Sequence, residues 1–71
     1  MKIVFSDHAK ARLKQRKILR KFIAETVNNP DNASLSYRGR RTFRKQICDR
    51  IIEVVAIIED KSLVIVTAYY L

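Results

Sequence analysis

The 71-residue chain is poor in the residues that build metal, disulfide and phosphate-loop sites. It has one cysteine, one glycine, one proline and one histidine, and no tryptophan. A lone Cys48 cannot form an intrachain disulfide, and one histidine with one cysteine cannot supply the usual ligands of a transition metal. A lone Gly39 cannot build a glycine-rich phosphate-binding loop. We therefore expect no metal and no cofactor, which excludes the enzyme classes that depend on them.

Long apolar runs are also missing. The initial stretch Lys2-Ile3-Val4-Phe5 is far too short for the apolar region of a signal peptide or for a membrane span. A single unpaired thiol is typical of a reducing compartment. We expect a cytoplasmic protein that has no membrane partner.

Positive charge is what the chain has in excess. Fifteen lysines and arginines against seven acidic residues give a formal net charge of +8, and the isoelectric point is near 10.2. Eight of the basic residues lie in Lys2–Lys21 and six in Arg38–Arg50. Clustering of this kind predicts a polyanionic partner such as RNA, DNA, an acidic protein or an anionic membrane surface. The alternative is a basic surface that serves solubility alone.

The hydrophobic pattern changes from helical to extended near Ala33. We predict an α+β fold of order β-α-α-β-β-β-β in one domain, 1–71, with two N-terminal helices packed on one face of an antiparallel sheet. Two-residue turns are expected at Cys48-Asp49 and Asp60-Lys61, and a turn at Arg38-Gly39-Arg40. The predicted elements are strand Lys2–Phe5, helices Asp7–Lys17 and Leu19–Asn28, and strands Ser34–Tyr37, Arg41–Cys48, Arg50–Glu59 and Ser62–Tyr70.

Alternation along the strands predicts which side chains share a face of the sheet. An apolar face is expected to take the helices, and the opposite face carries most of the polar residues. Tyr69 is predicted on the apolar face and Tyr70 on the opposite one. The apolar set is Phe43, Ile47, Ile52, Val54, Ile58, Leu63, Ile65 and Tyr69, and the other is Thr42, Arg44, Gln46, Glu53, Val55, Val66 and Tyr70.

The first helix sorts its basic residues. At about 100° per residue, His8, Arg12 and Arg16 fall in one sector beside the buried edge, and the lysines face the opposite side. Arginines next to a buried edge suggest a site, because a guanidinium fork can hold a phosphate. A structural role is the alternative, with Arg12 and Arg16 paired to an acid (Asp7, Glu25 or Glu53).

These residues suit phosphodiester chemistry without a metal. We predict catalytic roles for His8, Arg12, Arg44 and Tyr70, with the histidine transferring a proton or orienting the substrate. A further set is predicted to bind nucleic acid, through phosphate contacts and a base contact by tyrosine. It comprises Arg16, Arg38, Arg40, Arg41, Lys45 and Tyr69. The alternatives are a structural His8, a solvated arginine turn and a cross-strand pair of Arg44 with Glu53.

A family resemblance falls on the same residues. His8-Ala9, Arg12, Arg16 and Ile18 fit the pattern HAxxRxxxRxI. Further matching residues are Pro30, the Tyr37-Arg38-Gly39-Arg40 turn and the final Ile65-Val66-Thr67-Ala68-Tyr69-Tyr70. From Ile3 to Leu71 the chain resembles a small uncharacterised bacterial and archaeal domain family grouped with the RelE/ParE-like toxins. The similar BrnT toxins also carry a histidine in the first helix, which corresponds here to His8.

The resemblance implies the fold predicted above and an RNA-cleaving or ribosome-associated toxin that a cognate antitoxin neutralises. Such toxins attack through the ribose 2′-hydroxyl with basic, His, Tyr or Gln side chains and no metal. We therefore expect a toxin of a toxin–antitoxin pair, with RNA or the ribosome, an acidic antitoxin and a second copy of the chain as partners. Two alternatives stay open: a non-catalytic nucleic-acid-binding module, and a protein that docks an acidic partner.

Overall fold

In the computed structural model, which describes residues 2–71 apart from the side chain of Tyr37, two helices pack on a five-stranded sheet. A 3-10 turn, Tyr37–Gly39, precedes the third strand. The predicted α+β class and element order are confirmed. The elements are β1 Lys2–Phe5, α1 Asp7–Arg16, α2 Arg20–Asn28, β2 Asn32–Leu35, β3 Arg41–Ile47, β4 Arg50–Glu59 and β5 Ser62–Tyr70.

The strands lie in the order β1-β5-β4-β3-β2, and β1 runs parallel to β5 while the other neighbours are antiparallel. We predicted a sheet that is antiparallel throughout, and the parallel pairing of β1 with β5 corrects that prediction. Only a long connection can join two parallel neighbours, and here both helices and three strands separate them. β1 pairs with residues 62–65 and leaves residues 66–70 of β5, more than half of that strand, without a strand on that side.

Local sequence explains how α1 begins and ends. The Ser6 hydroxyl accepts a hydrogen bond from the Ala9 amide at 3.0 Å and donates one to the Ile65 carbonyl at 3.0 Å. Lys17 ends the helix in the left-handed conformation at φ 56°, one residue earlier than predicted. Neither α1 nor α2, the two α-helices of the described chain, has the length and apolar character needed to cross a membrane.

The core lies between the helices and one face of the sheet. Ala9 and Leu13 of α1 and Ile23 and Thr26 of α2 are buried there. The Thr26 hydroxyl donates to the Phe22 carbonyl at 2.7 Å, so its burial leaves no unpaired donor. From the sheet come the buried residues Ile52, Val54, Ala56, Leu63, Ile65 and Ala68.

A β-bulge in β5 changes the predicted facing of the two C-terminal tyrosines. Val55 pairs with Thr67, but the next residue of β4 pairs with Ile65, so Val66 has no partner. One extra residue reverses the alternation beyond it. Tyr70 therefore packs against the core and Tyr69 lies on the uncovered face, the reverse of the prediction.

The two hairpin turns form where the sequence predicts them, at 48–49 and 60–61. β2, predicted as Ser34–Tyr37, instead begins at Asn32. The Asp31 amide donates to the Arg44 carbonyl at 2.9 Å, and the Asp31 carboxylate accepts from the Gln46 amide at 2.8 Å. These two bonds start the pairing with β3 directly after Pro30.

Candidate functional site

Three polar side chains form a row across the uncovered face of the sheet. Arg44 of β3 pairs directly with Glu53 of β4, which pairs with Tyr69 of β5. Arg44 Nε lies 2.6 Å from Glu53 Oε1, and the Tyr69 hydroxyl donates to Glu53 Oε2. The predicted cross-strand pair of Arg44 with Glu53 is confirmed. Glu53 is only 7% exposed although no helix covers it, because its two neighbours enclose the carboxylate.

The row has a fixed protonation pattern at neutral pH. Burial alone would raise the pKa of Glu53, but the hydrogen bonds from Tyr69 and Arg44 and the charge of Arg44 outweigh it and lower the pKa. The hydrogen bond to Glu53 raises the pKa of Tyr69, and burial adds to the effect. Glu53 is therefore ionised and Tyr69 is neutral, and the phenol donates its hydrogen bond to the carboxylate.

Arg16, the last residue of α1, occupies the edge of β5 that β1 leaves uncovered. Its Nη1 donates to the Ala68 carbonyl at 2.8 Å and lies 3.3 Å from the Thr67 hydroxyl oxygen. The guanidinium carbon is 5.8 Å from the centre of the Tyr69 ring. Nε and Nη2 have no acceptor within residues 2–71, so three of the five N–H groups of the guanidinium remain available.

A second arginine lies on a tyrosine at the opposite side of the same strand end. Arg50 begins β4 directly after the 48–49 turn, and its guanidinium carbon is 3.8 Å from the centre of the Tyr70 ring. This distance is that of a stacked cation–π pair. The Tyr70 ring also packs against the core, so Arg50 rests on a supported surface.

Arg16, Arg50, Tyr69 and Tyr70 line one cleft of about 340 Å³ around the end of β5. Within residues 2–71 neither arginine has a carboxylate partner, whereas Arg44 has Glu53. The cleft thus combines two uncompensated cations with aromatic surface. Nowhere in the described chain do three or more His, Cys, Asp or Glu side chains lie together as metal ligands would.

His8 and Arg12 lie outside the cleft. His8 is exposed in the first turn of α1, and two helical turns, about 12 Å along the axis, separate it from Arg16. Arg12 donates to Gln15 on its own helix at 3.0 Å. The alternative that Arg12 and Arg16 pair with acids is wrong, because Arg16 binds a backbone carbonyl and Arg12 an amide side chain.

The basic strip 38–45 is divided between different places. Arg41 pairs with Ala56, four residues and about 13 Å along β4 from the partner of Tyr70. Arg38 and Arg40 lie still farther along, in the loop before β3. Lys45 donates to the Asn29 carbonyl at 2.9 Å and is 3.7 Å from Asp31, which holds it against the α2–β2 connection. These residues do not reach the cleft around Tyr70.

Two important residues were not predicted as site members. Glu53 entered only as a partner of Arg44, although it is the one acid inside a β-branched run, and such an isolated charge signals a buried pair. Arg50 follows a predicted two-residue turn and was counted only among the basic residues. Its stacking on Tyr70 depends on the bulge at Val66, and no pattern in the sequence predicts that bulge.

Comparison with known proteins gives a family. The family described as Domain of unknown function (DUF4258) matches residues 5–70, which is nearly the whole chain and includes every residue of the cleft. No curated protein and no solved structure matches the chain. The chain belongs to the DUF4258 family.

Proposed function

We propose that this chain is an RNA-binding protein that holds a single strand in the cleft around the end of β5. One observation carries the proposal: Arg16 and Arg50, both without a carboxylate partner in residues 2–71, flank Tyr69 and Tyr70 in one cleft. Arginine forks bind phosphate oxygens with two parallel hydrogen bonds. Planar side chains receive unpaired bases. The net charge of +8 would draw a polyanion toward the protein.

We extend the proposal to a cytoplasmic toxin of a toxin–antitoxin pair, whose RNA target it cleaves and whose acidic antitoxin neutralises it. The resemblance of the chain, through its HAxxRxxxRxI segment, to a domain family grouped with the RelE/ParE-like toxins supports this part. The geometry favours binding over cleavage. Cleavage needs an acceptor for the 2′-hydroxyl proton and a proton donor for the leaving oxygen. Tyr69 and Glu53 are hydrogen-bonded to each other, and His8 lies two helical turns from Arg16.

Salt-dependent binding tests the first part. A labelled single-stranded RNA is titrated with protein at several salt concentrations, and log K is expected to fall with log salt by about 0.7 for each phosphate contact. Arg16→Gln/Arg50→Gln should weaken binding more than tenfold. The matched control Lys10→Gln/Lys14→Gln removes the same charge from the exposed side of α1 and should have a smaller effect. An equal loss of RNA affinity in both double variants would indicate unspecific electrostatic attraction alone, and would reject the cleft as the binding site.

Cleavage is tested separately. The wild-type gene and His8→Ala are induced in cells, and RNA integrity and growth are followed together with the amount of folded protein. Growth arrest with loss of mRNA in the wild type, relieved by the substitution, supports a catalytic toxin. An RNA that is bound and never cut, with ribosomes or without, reduces the proposal to a binding module.

A further inference from the structure

We infer that Arg50, and not either tyrosine, is the surface on which an RNA base stacks, while Arg16 holds a neighbouring phosphate. The inference rests on the proposed function and deepens it. It names the substrate as an unpaired nucleotide whose base is free to leave its stack. The contacts of the two tyrosines and the two arginines lead to this division of roles.

Both tyrosine rings already carry an arginine. The Tyr70 ring packs against the core and carries the Arg50 guanidinium at 3.8 Å, so both of its faces have neighbours. Tyr69 is held by its hydroxyl on Glu53, and the Arg16 guanidinium lies above its ring at 5.8 Å. A base could reach the outer face of Tyr70 only by displacing Arg50, and the face of Tyr69 below Arg16 only by displacing Arg16.

Arg50 offers what the tyrosines lack. It is exposed and lines the cleft, and one face of its planar guanidinium rests on Tyr70, so the other face is turned away from the ring. Guanidinium planes accept unpaired bases as aromatic rings do. Its position next to the tight 48–49 turn, where Ile47 pairs with Arg50, restricts the backbone that carries it. A base placed on Arg50 would complete a three-layer stack with Tyr70 at its foot.

Arg16 is equipped for the phosphate. Nη1 is bound to the Ala68 carbonyl and fixes the orientation of the group. Nε and Nη2 lie on one edge of a guanidinium, and a phosphate can accept from both at once. The two arginines line the same cleft, so one nucleotide can supply both the base and the phosphate. A base-paired strand keeps its bases in the helix and cannot use Arg50 in this way.

The test compares a short oligouridine with an abasic phosphodiester strand of equal length, using the full chain and fluorescence anisotropy. Arg50→Lys keeps the charge and removes the plane. It should weaken oligouridine binding about tenfold and leave the abasic strand unchanged, with the salt slope preserved. Arg16→Gln should weaken both strands and reduce the slope by about 0.7.

Arg20→Lys is the matched control, because Arg20 also stacks on a ring, that of Phe5 at 5.3 Å, and lies outside the cleft. It should bind both strands normally. If the wild type binds neither strand, the proposed function fails together with this inference. If oligouridine binds and Arg50→Lys affects both strands equally, or neither, only the inference is overturned. Circular dichroism of each variant ensures that the folded protein is compared.

Discussion

The Tyr69 hydroxyl donates a hydrogen bond to the Glu53 carboxylate across β4 and β5, on the face of the sheet that no helix covers. The bond links a buried acid to one of the two tyrosines that line the cleft. It also orients Tyr69 beside Arg16. The polar row on the uncovered face therefore supports the cleft, and its energetics can be separated from RNA binding.

Glu53→Gln should destabilise the protein. A neutral amide loses the ion pair with Arg44, and it turns a donor group toward a neighbour that also donates. We expect a loss of about 1–3 kcal/mol in the free energy of unfolding, measured by urea denaturation. Glu59→Gln removes an exposed acid from the end of the same strand and should stay within about 0.5 kcal/mol of wild type. A Glu53→Gln protein as stable as the Glu59→Gln control would contradict the role of the row.

The same row predicts how stability changes with pH. The folded pKa of Glu53 lies below its ordinary value of 4.5, so its contribution is complete above that pH and is lost as pH falls through the folded pKa. The folded pKa of Tyr69 lies above 10.0, so its contribution is complete below that pH and is lost as pH rises through the folded pKa. Glu53→Gln should flatten the acid limb of the stability curve and Tyr69→Phe the alkaline limb. Variant curves parallel to wild type at both ends would contradict this account.

Arg44 and Arg16 should separate stability from binding. Arg44 is neutralised by Glu53, so Arg44→Gln should cost about 1–2 kcal/mol of stability and change RNA affinity little. Arg16 hydrogen-bonds an edge carbonyl and a hydroxyl and has no acidic partner, so Arg16→Gln should cost less than about 1 kcal/mol and weaken RNA binding several-fold. Urea denaturation and anisotropy on both proteins give the comparison. The opposite ranking would move the phosphate contact to Arg44.

The 60–61 turn offers a prediction on the backbone alone. Asp60 and Lys61 have φ of 49° and 61°, as a two-residue type I′ turn requires, although neither is a glycine. Lys61→Gly should raise the free energy of unfolding by about 0.5–1 kcal/mol, because glycine adopts positive φ without steric cost. Asp49→Gly is the control in the other hairpin, since Asp49 does not have a positive φ, and it should not stabilise the protein.

The fold was predictable because the helix cap, the proline and the turn residues in the sequence all indicate the same elements. Ser6 begins α1, Pro30 ends α2, and the two turns separate three predicted strands, so element order and hairpin positions follow from local chemistry. The parallel pairing of β1 with β5 was missed because it joins the two ends of the chain, where no turn sets the geometry.

The cleft was less predictable because one β-bulge determines which face of the sheet each of its two tyrosines lies on. Val66 without a partner turns Tyr69 toward Glu53 and Tyr70 toward Arg50, and strict alternation gives the reverse. The angular sorting of α1 predicted a site at Arg16, and Arg16 does line the cleft. The same sorting could not show that the cleft lies at the Arg16 end of α1, two helical turns away from His8.

The central claim is that the end of β5 is the RNA-binding surface, and an NMR titration tests it most directly. Amide proton–nitrogen spectra of the labelled protein are recorded while oligouridine is added. We predict the largest shift changes at Arg16, Arg50 and residues 67–71, with little change at His8 and in the 36–40 loop. Changes concentrated in the 36–40 loop, with the end of β5 unaffected, would contradict the account.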